Sequence, residues 1–161
     1  MDGKGKTRWL LVAAGIVAVG VVIALAARGR AVRVTGETPD ECIACCCRLA
    51  EQGGRQAREA LRSVAQDPSE NSAVRRAAII GLGNMGARAV RDVLETVLVD
   101  DAWQVRAGAA AALGRLNDAS VVPLLAGRLK DDEEPVRLAA VEGLSRVDDP
   151  EAVAALMAAV E

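Results

Sequence analysis

The stretch CIACCC, residues 42–47, holds Cys42, Cys45, Cys46 and Cys47, all four cysteines of a 161-residue chain that has no histidine. Clustered thiols suggest three chemistries: a tetrahedral metal site, a C-x-x-C redox pair, or a point of covalent attachment. A metal needs ligands converging from several directions, and four thiols on a turn and a half of one helix diverge instead. The pair Cys42 and Cys45 lacks the strand-to-helix setting of redox motifs. At about 100° per residue, Cys42, Ile43, Cys46, Leu49 and Ala50 share one face, with Cys46 near its centre and Cys45 and Cys47 at its margins. Glu41, Arg48, Glu51 and Gln52 lie opposite. Cysteine acts in such a place as a small hydrophobe. Packing is therefore the expectation, and the thiol cluster stays a minor candidate for a disulfide, a metal or an attachment site.

Other catalytic constellations are thin. Without histidine no Ser/His or Cys/His pair exists, and general-base work would fall to carboxylates. The acidic run DDEEP at 131–135 reads as a solvated turn and helix start, where anions are favoured. GLGNMG at 81–86 has the glycines of a phosphate loop but follows a helical pattern rather than a strand. No catalytic residue, metal ligand or cofactor is expected.

The elements that carry these residues are helical by composition. Apolar residues make up 52%, supplied by alanine, valine and leucine; Phe and Tyr are absent, and the two tryptophans are Trp9 and Trp103. Six basic residues, Lys4, Lys6, Arg8, Arg28, Arg30 and Arg33, flank one apolar run, and from Val34 onward 21 acidic residues face 14 basic ones. An acidic body without aromatic platforms argues against nucleic-acid binding. The run itself, residues 9–27 after a basic tail at 1–8, is nineteen uncharged residues long. As a helix it would extend about 29 Å, enough to cross bilayer hydrocarbon. A single retained transmembrane helix is expected, followed by a linker over 28–39. Lys and Arg stand three on each side. The short tail favours a repeat domain outside the cytoplasm, and the clustered thiols favour the opposite side.

From Val74, Val105 and Val136 the strings VRRAAIIGLG, VRAGAAAALG and VRLAAVEGLS recur with a spacing of 31 residues. A fixed period of this size marks a solenoid. Each unit contains two helical stripes, for example Val105, Gly108, Ala109, Ala112 and Leu113, then Val121, Leu124, Leu125 and Leu129. Gly114 with Asn117 and Asp118 supplies a stop and a cap, and Asp149 followed by Pro150 another cap. The predicted fold is all-α, a right-handed α-solenoid of about four helix pairs over 40–161, preceded by the transmembrane helix. Its units are a degenerate one at 40–66 and clear ones at about 67–99, 100–130 and 131–161. The degenerate unit aligns Leu61 with Leu94 if two extra residues are allowed near Gly53 and Gly54. An acid stands five positions before each repeat arginine, in Glu70/Arg75, Asp101/Arg106 and Asp132/Arg137. These pairs are expected to form a ladder along the stack.

An acidic turn, VR, an alanine-rich helix, LG, then DP and a leucine-bearing helix: this order resembles HEAT repeats, and most closely the HEAT-like repeats of phycobilin lyases. DDEEPVRLAAVEGLSRVDDPEAVAAL follows it almost throughout. The resemblance implies the solenoid fold and protein partners, but it names no reaction. Deoxyhypusine hydroxylase, which resembles the chain at the repeat level, needs His-Glu ligands that the sequence does not contain.

The function expected is a membrane-anchored scaffold or adaptor that binds another protein without catalysis. One alternative is an accessory protein of phycobilin-lyase type that handles a cofactor or chromophore. Another is a structural homo-oligomer formed through the C-terminal helix. The expected binding surface follows the second helices through Arg91, Glu95, Val122, Ala126, Val153 and Met157. Trp103 acts there as a rim anchor or as a staple onto the neighbouring repeat.

Overall fold

A computed structural model describes residues 38–86 and 90–159. Eight α-helices run through them, with no strand among the described residues. They form four pairs: α1 (Pro39–Gln52) with α2 (Gly54–Gln66), α3 (Ser72–Asn84) with α4 (Arg91–Val97), α5 (Trp103–Gly114) with α6 (Val122–Arg128), and α7 (Glu134–Ser145) with α8 (Pro150–Ala158). The first helices stack in order, α1 on α3, α3 on α5 and α5 on α7, and each second helix also touches the first helix of the following unit. This is the α-solenoid. No helix among the described residues is long and apolar enough to cross a membrane, and the segment 9–27 lies outside them.

Local chemistry sets the helix ends. Thr38 caps α1 in a capping box: the Glu41 amide donates to Thr38 Oγ1 at 3.4 Å and the Thr38 amide to Glu41 Oε2 at 3.3 Å. Asn71, Asp118 and Asp149 accept amides two residues on, at 2.9, 3.1 and 2.8 Å. The Asp118 and Asp149 caps are those the sequence predicted. The link from α1 to α2 turns at Gly53 and Gly54, with φ of 66° and 86°, a region few other residues enter without strain.

One row of leucines, Leu49, Leu82, Leu113 and Leu144, is at most 1% exposed and runs through all four units. Close helix approach explains why alanine and glycine dominate the rest. A Cβ on Gly114 would lie 2.3 Å from the Gly143 Cα, one on Gly83 2.7 Å from the Ala112 Cβ, and one on Gly81 3.1 Å from the Ala50 Cβ. Every first-helix crossing therefore contains a glycine, and larger side chains there would force the stack apart.

The first unit aligns with the second at an offset of 33. Leu61 lies against Gly81 just as Leu125 lies against Gly143, so the correspondence of Leu61 with Leu94 holds. The extra residues are not near Gly53 and Gly54, however. Asp67, Asp100 and Asp131 each accept the amide two residues on. The next helix begins five residues after Asp67 but three after Asp100 and Asp131. The insertion is in the turn before Ser72.

Candidate functional site

At that offset Cys45 corresponds to Ala78, Ala109 and Ala140, all fully buried, and Cys46 to the buried Ile79 and Ala110. Cys45 and Cys46 are themselves fully buried, Cys42 is half-buried and Cys47 is exposed. The thiols diverge as the helix wheel implied, although Cys45 is a core residue rather than a marginal one. Among the described residues no group of three or more potential ligands could hold a metal ion. Burial pushes the Cys46 thiol up to about 12, with smaller contributions from its cysteine neighbours and Glu70. Burial also raises Cys42, helped by the charge of Glu70. Because the thiolate is the reactive form, a maleimide reagent should modify Cys47 rapidly in the folded protein and spare Cys45 and Cys46 until denaturant is added. Mass spectrometry of the labelled peptides checks this, and fast modification of Cys46 in the folded state would contradict it.

The ladder exists in a different register from the one predicted. Arg75 donates Nη1 to Asp100 Oδ1 at 3.2 Å, pairs through Nη2 with Oδ2, and donates Nε to the Ala65 carbonyl at 3.2 Å. Arg106 grips Asp131 with Nε and Nη2 at 2.9 and 2.8 Å. Its Nη1 donates to the carbonyls of Asp100 and Asp101 at 2.9 and 3.0 Å. Arg137 likewise donates to the carbonyls of Asp131 and Asp132, at 2.8 and 2.9 Å. Asp101 and Asp132 thus contribute backbone oxygens rather than carboxylates, and Glu70 is displaced by the insertion after Asp67. Each rung spans 25 residues forward, not five backward. Burial acts to raise the Asp100 carboxyl, but the Arg75 hydrogen bonds, the Ala102 amide and the charges of Arg75 and Arg106 bring it below the ordinary range. In the first unit Cys42 stands where the ladder arginine would be.

The surface predicted along the second helices is broken up. Arg91 pairs with Glu95 and reaches Ser120, whose carbonyl accepts from Nη2 at 3.3 Å, so both charges are engaged within the chain. Val122 is 3% exposed and belongs to the core, because α6 packs against α8 as well as α7. Ala126 is half-buried. Val153 and Met157 do stand out, at 58% and 68% exposed.

The first helices carry an apolar face that the sequence analysis missed. A cleft of about 420 Å³ spans α3, α5 and α7, lined by Ile80, Trp103, Ala111 and Leu138 with Arg76 and Glu142 at its edges. A second cleft of about 410 Å³, lined by Ile43, Cys47, Ala77 and Ile80, continues it toward α1. Trp103, 36% exposed, stands at the rim of the first. The signal was present in the repeat strings: the residue after Val-Arg changes from Arg76 through Ala107 to Leu138. An apolar, tryptophan-rimmed cleft with charged edges suits docking of another polypeptide.

Stacked helix pairs joined by an arginine–aspartate ladder define a helical-repeat protein of the α-solenoid class. The profile of HEAT repeats matches residues 22–103 and 92–161, and the chain belongs to the HEAT-repeat family. No curated protein matches it.

Proposed function

We propose that the protein is a non-catalytic docking scaffold that binds another protein through its repeat domain and is held at a membrane by residues 9–27. HEAT repeats generally mediate protein–protein interaction, which supports the first part. The observation that carries it here is the cleft beside Trp103, where Leu138 is 58% exposed and only first-helix residues form the walls. The uncharged length of residues 9–27, with basic residues at both ends, supports the second part.

The test is recovery of the tagged full chain from its native membranes, beside Leu138→Glu. A stoichiometric partner protein should accompany the native chain and be lost from the variant. Recovery of the chain alone, or with a bound small molecule seen in the intact mass, would overturn the docking reading. Deletion of residues 9–27 should release the chain from membranes under alkaline extraction, and retention would refute the anchor.

A further inference from the structure

Two properties of the last unit coincide. The first is an edge that the described residues leave uncovered. Ile79 and Arg76 on α3 pack toward Gly108 of the next first helix, where a Cβ would meet the Arg76 Cγ at 3.0 Å and the Ile79 Cγ2 at 3.6 Å. The corresponding residues of α7 are Val141 and Leu138, and both are exposed; Ile79 and Ala110 are fully buried, and Ala107 is nearly so. On the second helices Val153 is exposed where its counterpart Val122 is buried. Together with Met157, four of the six large exposed apolar side chains among the described residues lie on this one unit.

The second property is charge. Residues 34–130 contain twelve acidic and twelve basic residues, whereas 131–161 contain nine acidic and two basic, Arg137 and Arg146. The entire −7 of the body therefore resides in the last unit. Asp148 and Asp149 border a hollow with Val153, and Glu142 borders the exposed Leu138 and Val141. The opposite end of the stack differs on both counts. Its positions equivalent to the buried Val74, Val105 and Val136 are taken by Glu41, and those equivalent to Gly81, Ala112 and Gly143 by Arg48.

We infer that the α7–α8 edge docks a basic amphipathic helix of a partner protein, laid where a further first helix would pack. The inference rests on the docking reading above and names the chemistry of its partner. Apolar residues on one side of that helix cover Leu138, Val141, Val153 and Met157, and Lys or Arg on its flanks meets the acidic rim. A second copy of the chain is disfavoured, since two edges of charge −7 repel and α1 carries Glu41 and Arg48 where the later first helices carry valine and glycine or alanine. An anionic lipid surface is repelled likewise.

The experiment uses the full chain in zwitterionic nanodiscs, with empty nanodiscs as the baseline. The probe is a fluorescent helical peptide of about 18 residues with leucine and alanine on one face and lysine on the other. Its twin carries glutamate in place of every lysine. The basic peptide should bind, and the twin should bind at least about tenfold more weakly. Val153→Glu with Met157→Glu, and separately Asp148→Lys with Glu142→Lys, should each weaken the basic peptide about tenfold. Trp103→Ala should leave it unchanged, and salt raised to about 0.5 M should weaken it.

Equal binding of the two peptides, or unchanged binding to the edge variants, would overturn the inference. So would light scattering that shows a dimer of the native chain and a monomer of Val153→Glu/Met157→Glu, because a second copy would then cover the edge. Capture from native membranes separates the two readings. A partner lost from Leu138→Glu but kept by Val153→Glu/Met157→Glu refutes the edge and leaves the docking scaffold intact.

Discussion

Replacing Asp131 by alanine should lower the unfolding free energy by about 3 kcal/mol. The pair it forms with Arg106 is nearly enclosed, with side chains 5% and 15% exposed, so water cannot replace the lost carboxylate easily. Arg106 Nε and Nη2 would both lose their acceptor, and a charge left without its partner costs more than the pair contributes. Alanine also removes the acceptor for the Glu133 amide at the start of α7. Asp131→Asn keeps an oxygen for that amide and should recover about 1 kcal/mol. Denaturant unfolding followed by circular dichroism measures both. A loss below about 0.5 kcal/mol for alanine would place this rung among weak surface pairs.

The same residue sets a pH dependence. Hydrogen bonds from Arg106 hold the Asp131 carboxyl below its ordinary range, against burial and with help from the Glu133 amide and the charges of Arg106 and Arg128. A folded-state value below the unfolded one, near about 3.9, means the contribution is present in full above that pH. It is lost as pH falls through the folded value. The native protein should therefore lose stability relative to Asp131→Asn as pH drops below about 4. Parallel profiles for the two proteins would show that the carboxylate is not stabilised by the fold.

The register of that ladder shows what the sequence reveals and where it stops. The 31-residue period was enough to place the helix pairs and the Asp118 and Asp149 caps, because each follows from local spacing. The acids came out one position late because Asp100 is followed by Asp101 and Asp131 by Asp132, and each was matched to the arginine of its own helix rather than to that of the unit before. Only the capping geometry distinguishes them: the first of each pair accepts the amide two residues on, and its carboxylate then faces the preceding arginine. Glu70 was misassigned for another reason. Two residues inserted in the turn before Ser72 move the equivalent acid to Asp67, and a gapless repeat count cannot see them. Val122 shows a third limit. A wheel drawn for one helix leaves it outside, but α6 is covered by α8, and coverage by a neighbour is not a property of the helix's own sequence. The cleft beside Trp103 is likewise made by three helices together, so its residues lie scattered from Arg76 to Glu142.

Leu125→Ala should destabilise the protein by about 2–5 kcal/mol, and its coupling to Gly143 should show what the leucine does. Leu125 is fully buried at the centre of the third unit, so truncation removes transfer energy and leaves a cavity. Its two methyl carbons lie 3.1 and 3.3 Å from where a Gly143 Cβ would be, and the Ala110 carbonyl lies 3.0 Å away. Gly143→Ala alone presses on both neighbours, and the strain of about 1–3 kcal/mol outweighs the helical preference for alanine of about 1 kcal/mol. With Leu125 already truncated, the added methyl enters the vacated volume and only the Ala110 contact must relax. Ala112, the counterpart of Gly143 one unit earlier, shows that the position accepts a methyl where the facing geometry allows it. The double variant should therefore cost at least about 1 kcal/mol less than the two single losses added together. The four proteins unfolded under one set of conditions complete the cycle. Additivity within about 0.5 kcal/mol would mean that the leucine does not press on Gly143. The crossing of α5 and α7 would then be set by Gly114 alone, whose Cβ would lie 2.3 Å from the Gly143 Cα.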